Sequence, residues 1–130
     1  MLLLLTIAAL VEAAAGVALL AVPALPASLL LGVTLDTPTG LAIGRVAGAA
    51  LCALGIACWC ARRDKSSRAA TGVVAAMLFY NLAVVAILAY VGLGGSVIGI
   101  MLWPAVVLHA VIAVWCIACL WPRNRSTTGG

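Results

Sequence analysis

The sequence predicts an all-α fold, a bundle of four transmembrane helices with both termini on the cytoplasmic side, and three observations carry that expectation. Hydrophobic residues make up 67% of the chain and charged residues 8%, where soluble domains are roughly a quarter charged. The apolar residues fall into four continuous runs, each long enough to cross a hydrocarbon core, which takes about 20 helical residues. The runs lack the period-two alternation of a membrane strand, so helices are preferred to a barrel. With 130 residues and a mean hydropathy of +1.33, the chain forms a single membrane domain over 1–130, with almost nothing left for a soluble portion.

The first helix is placed at 2–22. An N-terminal apolar run followed by AVPALPAS resembles a signal peptide, but no Lys or Arg precedes it and Glu12 interrupts its centre. It is therefore read as a retained helix. Pro23 and Pro26 end it, and the outer loop 23–40 then offers Leu29, Leu30, Leu31 and Leu35 before the polar DTPTG. A short segment lying along the interface or folding over the bundle is expected there, as a lid or as packing. The second helix follows at 41–61.

The basic inner loop 62–68 carries Arg62, Arg63, Lys65 and Arg68, and the basic tail 122–130 carries Arg123 and Arg125. The two other connections, 23–40 and 92–96, hold no Lys or Arg, so the basic segments are assigned to the cytoplasm. These six residues read as topology signals with weak contacts to anionic lipid, and no nucleic-acid role is assigned because the chain has no wider basic face. The third helix is placed at 69–91 and the fourth at 97–121. Gly92, Gly94 and Gly95 should make the link between them a tight turn. Pro104 is expected to kink the fourth helix near its outer end, because it deprives the carbonyl of Ile100 of a donor.

Each helix contributes one strongly polar side chain. Glu12 lies near the midplane, about 15 Å from either end of its helix at 1.5 Å per residue. Asn81 and His109 lie at about 18 Å. Arg45 starts only about 6 Å below the outer boundary, with a side chain long enough to reach inward or to snorkel. Glu12 shares its face with Ala8, Ala9, Ala15 and Gly16, and Arg45 shares its face with Gly48, Ala49 and Cys52. Small residues of this kind let helices approach closely. GRVAG places Gly44 and Gly48 on either side of the arginine.

An ionised side chain at mid-membrane costs about 2.5 to 3.5 kcal/mol, so pairing is expected. Arg45 is the first choice of partner for Glu12; a protonated Glu12 bonded to Asn81 or His109 is the other. Tyr80, beside Asn81, can hydrogen-bond into the cluster or line a pocket. Trp59, Trp121 and Tyr90 fit the aromatic belts at the interfaces. The cluster serves either as glue between helices or as a ligand, proton or ion site. A single His excludes bis-histidine haem ligation.

Cys58 and Cys60 near one helix end, and Cys116 and Cys119 near another, share a level and include the ligand type that selects Zn or Cu(I). Two residues apart on a helix point to different sides, so convergence of all four is not expected and no metal is assigned.

The segments GRVAGAALCALGIACWCAR, FYNLAVVAILAYVGLGG and LWPAVVLHAV together resemble a group of small bacterial four-helix membrane proteins, broadly DoxX-like. DoxX-type proteins are linked to membrane redox systems, among them a small subunit of a thiosulfate:quinone oxidoreductase, so the resemblance implies a quinone or redox partnership. No residue matches a catalytic motif that it could transfer.

The functional expectation is a binding or accessory subunit of a bacterial inner membrane rather than an enzyme, contacting lipid, quinone or a larger membrane complex through Glu12, Arg45, Tyr80, Asn81 and His109. The alternative is a proton-coupled transporter of small solutes, working as a homo-oligomer because four helices enclose little space.

Overall fold

The computed structural model describes residues 1–64, 67–95 and 99–121, and these are helical with no strand among them. Five helices lie among the described residues: α1 Leu2–Ala21, α2 Ala24–Leu31, α3 Pro38–Ala61, α4 Arg68–Leu93 and α5 Leu102–Leu120. All but α2 are long and apolar enough to cross a membrane. Lys65 and the tail 122–130 lie outside the described residues.

Sequence chemistry marks most of the boundaries. Pro23, which lacks an N–H, separates α1 from α2. Thr37 caps α3 by accepting a hydrogen bond from the Gly40 N–H at 3.0 Å, with Pro38 in the first helical turn. Ser67 caps α4 in the same way through the Ala70 N–H, and its own hydroxyl donates to the Asp64 carboxylate. Gly95, at φ 72°, follows the end of α4.

Two expectations about α5 change. Residues 96–98 lie outside the description, and the helix itself starts at Leu102 rather than Val97. Pro104 is therefore its third residue, in the first turn, where a backbone N–H has no intrahelical acceptor to lose. Ala105 N–H bonds the Met101 carbonyl at 2.9 Å, so the turn closes past the proline, and no kink follows from it.

The 23–40 connection folds back onto the long helices as the short helix α2. α2 touches α1 and α5, and its last turn accepts two backbone bonds, Gly99 N–H to Leu30 O at 3.1 Å and Met101 N–H to Leu29 O at 2.9 Å. Gly99 is required there because a Cβ would run into the backbone of Leu29 and Leu30.

Backbones approach closely within two pairs, α1 with α3 and α4 with α5, while the pairs meet each other through side chains. The α1–α3 seam is built from backbone meeting backbone. A Cβ on Gly48 would lie 2.7 Å from the Gly16 carbonyl oxygen and 2.8 Å from the Leu20 nitrogen. The hydrophobic core occupies the half of the bundle nearer the arginine-rich link. Leu4, Leu5, Ala8, Ala9, Cys58, Val74, Met77, Ile112 and Cys116 are buried together there. On α1 the buried set 4, 8, 12, 16 and 5, 9 follows one helical stripe, and Glu12 sits within it.

Candidate functional site

Among the described residues, Glu12 and Asn81 are the two buried polar side chains, 1% and 0% exposed. Glu12 faces Tyr80 of the α4–α5 pair, and Asn81 lies between α4 and α5. The small neighbours Ala8, Ala9 and Gly16 are buried with Glu12, and Ala15 is half-buried. One carboxyl oxygen, Oε1, is buried without a hydrogen-bond partner. The phenol of Tyr80, on α4, is the polar neighbour of the carboxyl.

Asn81 ties α4 to α5. Its amide nitrogen donates to the carbonyl of Met77, one turn back, at 2.7 Å, and its Oδ1 lies 2.7 Å from His109 Nδ1. A carbonyl only accepts, so the contact with Met77 fixes which end of the amide is nitrogen. Oδ1 then faces the imidazole, Nδ1 carries the proton and donates, and Nε2 is the ring atom open to a second partner. The His109 ring meets Tyr80 edge-on, with centroids 5.7 Å apart and planes at 80°. Glu12, Tyr80, His109 and Asn81 thus form one contiguous group contributed by α1, α4 and α5.

Arg45 is not in it. The arginine is exposed on α3, about 10 Å into that helix at 1.5 Å per residue. Among the described residues no ion pair within 4.0 Å joins it to Glu12. Helical phase accounts for the difference. Gly44 packs against Pro23, and Gly48 against Gly16 and Leu20, so the GRVAG glycines do face a neighbour. Arg45 follows Gly44 by one residue, a rotation of about 100°, which turns it off that face. Ala49, expected on the interface beside Arg45, is exposed as well.

The cysteines divide by burial. Cys58 and Cys116 are buried in the same core, Cys119 and Cys52 are partly exposed, and Cys60 is exposed; all are free thiols. Among the described residues no three His, Cys, Asp or Glu side chains come together as a metal site.

One feature has only an indirect signal in the sequence. On the outer side of the α1–α3 pair, Ala9, Leu10, Ala13, Gly55, Ile56 and Trp59 line an apolar groove of about 340 Å³. Small residues opposite one another leave the hollow, and Trp59 stands at its end nearer the arginine-rich link. Arg62, three residues on, lies over the Trp59 ring with its guanidinium carbon 3.4 Å from the centroid. The spacing WCAR was the available clue, because residues three apart meet on a helix.

Compared with protein-family models, curated proteins and solved structures, the chain matches none.

Proposed function

We propose that the chain is a small multi-pass subunit of a bacterial inner membrane, with both termini cytoplasmic, that binds a membrane-dissolved amphiphile or a larger complex through Glu12, Tyr80, His109 and Asn81. The orientation rests on the six Lys and Arg residues in the 62–68 link and the 122–130 tail, against none in 23–40 and 92–96. The single observation that carries the reading is the buried Oε1 of Glu12, which lacks a partner.

An unsatisfied buried polar atom costs about 1–3 kcal/mol. A ligand that brings a donor to that oxygen recovers this amount, and an O–H of a quinol or of a lipid head is of the right kind. The ligand enters from the bilayer between the two helix pairs, which must part to admit it because Glu12 is 1% exposed. Each long helix also leaves most of its residues unburied, which gives a partner chain or a second copy ample surface. Binding rather than catalysis is favoured because the group includes no nucleophile held by a base.

The test is native mass spectrometry of protein released gently from its own membrane, wild type beside Glu12→Leu, which removes both carboxyl oxygens from a side chain of similar size. A bound quinol, lipid or partner chain in the wild type that is lost in the variant is the expected result. Identical bare species in both would overturn the proposal. Proton-coupled flux in proteoliposomes that Glu12→Gln abolishes would move the site to a transporter. Against that stand the apolar layers Leu4, Leu5, Met77 and Ile112 between the polar group and the arginine-rich end.

A further inference from the structure

We infer that the groove on the outer side of the α1–α3 pair is a site for one anionic phospholipid, separate from the Glu12 group, with an acyl chain along the groove and the phosphate on Arg62. The groove fits a segment of a chain in its chemistry, over about 6 Å of each helix at 1.5 Å per residue. It runs from Ala13, near the middle of α1, to Trp59, two residues before the end of α3. Its lining is almost entirely apolar, and its volume of about 340 Å³ lies at the lower end of the roughly 300–1,000 Å³ of small-ligand sites.

Its depth comes from residues that cannot fill it. Gly55 packs so closely on α1 that a Cβ there would lie 3.1 Å from both the Ala9 carbonyl and the Ala13 nitrogen, while Leu10 and Ile56 stand up as exposed rims.

The choice of an anionic lipid rests on charge. Arg62 is held over the Trp59 ring and donates through Nη1 to the Trp59 carbonyl, so its guanidinium is fixed at the mouth of the groove. Only part of its donor set is used there, and the rest remains for a phosphate, which guanidinium recognises through paired N–H groups. Arg63 adjoins it and is exposed. The nearby Asp64 carboxylate accepts from the Ser67 hydroxyl and keeps its charge, which Arg62 and Arg63 together outweigh. A headgroup with net negative charge is therefore preferred over a zwitterionic one. One arginine near a membrane surface corresponds to about a fivefold preference.

The experiment measures first-lipid dissociation constants by native mass spectrometry, using detergent-purified protein titrated with phosphatidylglycerol or phosphatidylcholine of identical chains. Wild type should take phosphatidylglycerol about fivefold more tightly. Arg62→Gln should bring the two lipids level, whereas Arg63→Gln should leave most of the preference. Ile56→Trp, a change on the exposed rim that spares the helix seam, should weaken both lipids together. Equal binding by wild type, a preference that survives Arg62→Gln, or an equal loss in Arg63→Gln overturns the headgroup assignment. Unchanged lipid binding in Ile56→Trp overturns the groove, as does a dimer that this variant dissociates while lipid binding stays the same.

Discussion

Replacing Gly48 by alanine adds one methyl group where α3 meets α1 and should loosen the whole pair. The new Cβ would lie 2.7 Å from the Gly16 carbonyl oxygen, 2.8 Å from the Leu20 nitrogen and 2.9 Å from the Leu19 Cβ. Two of these neighbours are backbone atoms, so no rotamer change relieves the contact. Restoring a separation of about 3.5 Å moves the helices apart by about 0.8 Å, and a gap of that size forfeits a quarter to a half of the dispersion well at neighbouring contacts. Overpacking of this kind costs about 1–3 kcal/mol.

Alanine also improves helix propensity by up to about 1 kcal/mol, which would mask part of the effect. Gly72→Ala supplies the control. Gly72 lies within α4 with nothing within 4 Å of its Cβ position, so it takes the propensity gain without the clash. The difference between the two variants, read by SDS titration in mixed micelles with near-UV circular dichroism, should be about 1–3 kcal/mol against Gly48→Ala. If the two variants agree within about 0.5 kcal/mol, the backbone-to-backbone account of the α1–α3 seam is wrong.

Other perturbations follow from the same contacts. Gly99→Ala should undock α2 and lower the thermal midpoint, because its Cβ has no room beside the Leu29 and Leu30 backbone; an unchanged midpoint would show that α2 does not depend on that contact. Pro104→Ala should shift stability by less than about 0.5 kcal/mol in the same titration, since the first helical turn has no bond for proline to break, and a loss of 2 kcal/mol or more contradicts its placement there. Asn81→Leu should cost about 0.6–1.7 kcal/mol, the span measured for interhelical polar contacts in membranes, and nitrogen NMR of the wild type should find the His109 proton on Nδ1; a proton on Nε2 alone would reverse the donor assignment. A membrane-permeant maleimide should modify Cys60 first and Cys58 and Cys116 last, by peptide mass mapping, and equal rates at Cys58 and Cys60 would contradict the burial of the former.

The sequence was most informative where hydrophobicity and local chemistry decide structure without help from a partner. Four long apolar helices, the Gly44 and Gly48 contact, the stripe of small residues around Glu12 and the short segment in 23–40 were all legible from apolar runs and prolines. Asn81, His109, Tyr80 and Glu12 were identifiable because each is polar at a depth where polarity is costly. The pairing of these groups was not legible. Depth along an axis gives no rotation about it, and Arg45, the strongest electrostatic partner on paper, sits one residue from the packed glycine face and is turned away. Pro104 shows a related limit, since its effect depends on whether it lies inside a helix or in the first turn, and a shift of five residues in the start of α5 decides that. The contact of Gly99 with α2 joins segments nearly seventy residues apart, and no local pattern encodes it.

The division of the bundle into two pairs explains why the polar group lies where it does. Between α1 and α3, glycines let backbone atoms touch, and such a surface has no room for a carboxyl or an imidazole. Within the α4–α5 pair, Asn81 and His109 satisfy each other across the helices and fix the orientation of the amide. Glu12 belongs to neither arrangement. It projects from the first pair toward the second, where the pairs meet through side chains and Tyr80 is its polar neighbour. A ligand entering between the pairs therefore disturbs neither the glycine seam nor the Asn81–His109 bond, and the hydrogen bond it makes to Oε1 adds a contact that the protein alone does not make. Binding at Glu12 is then coupled to the spacing of the two pairs: whatever holds them together should tighten the site, and whatever separates them should empty it.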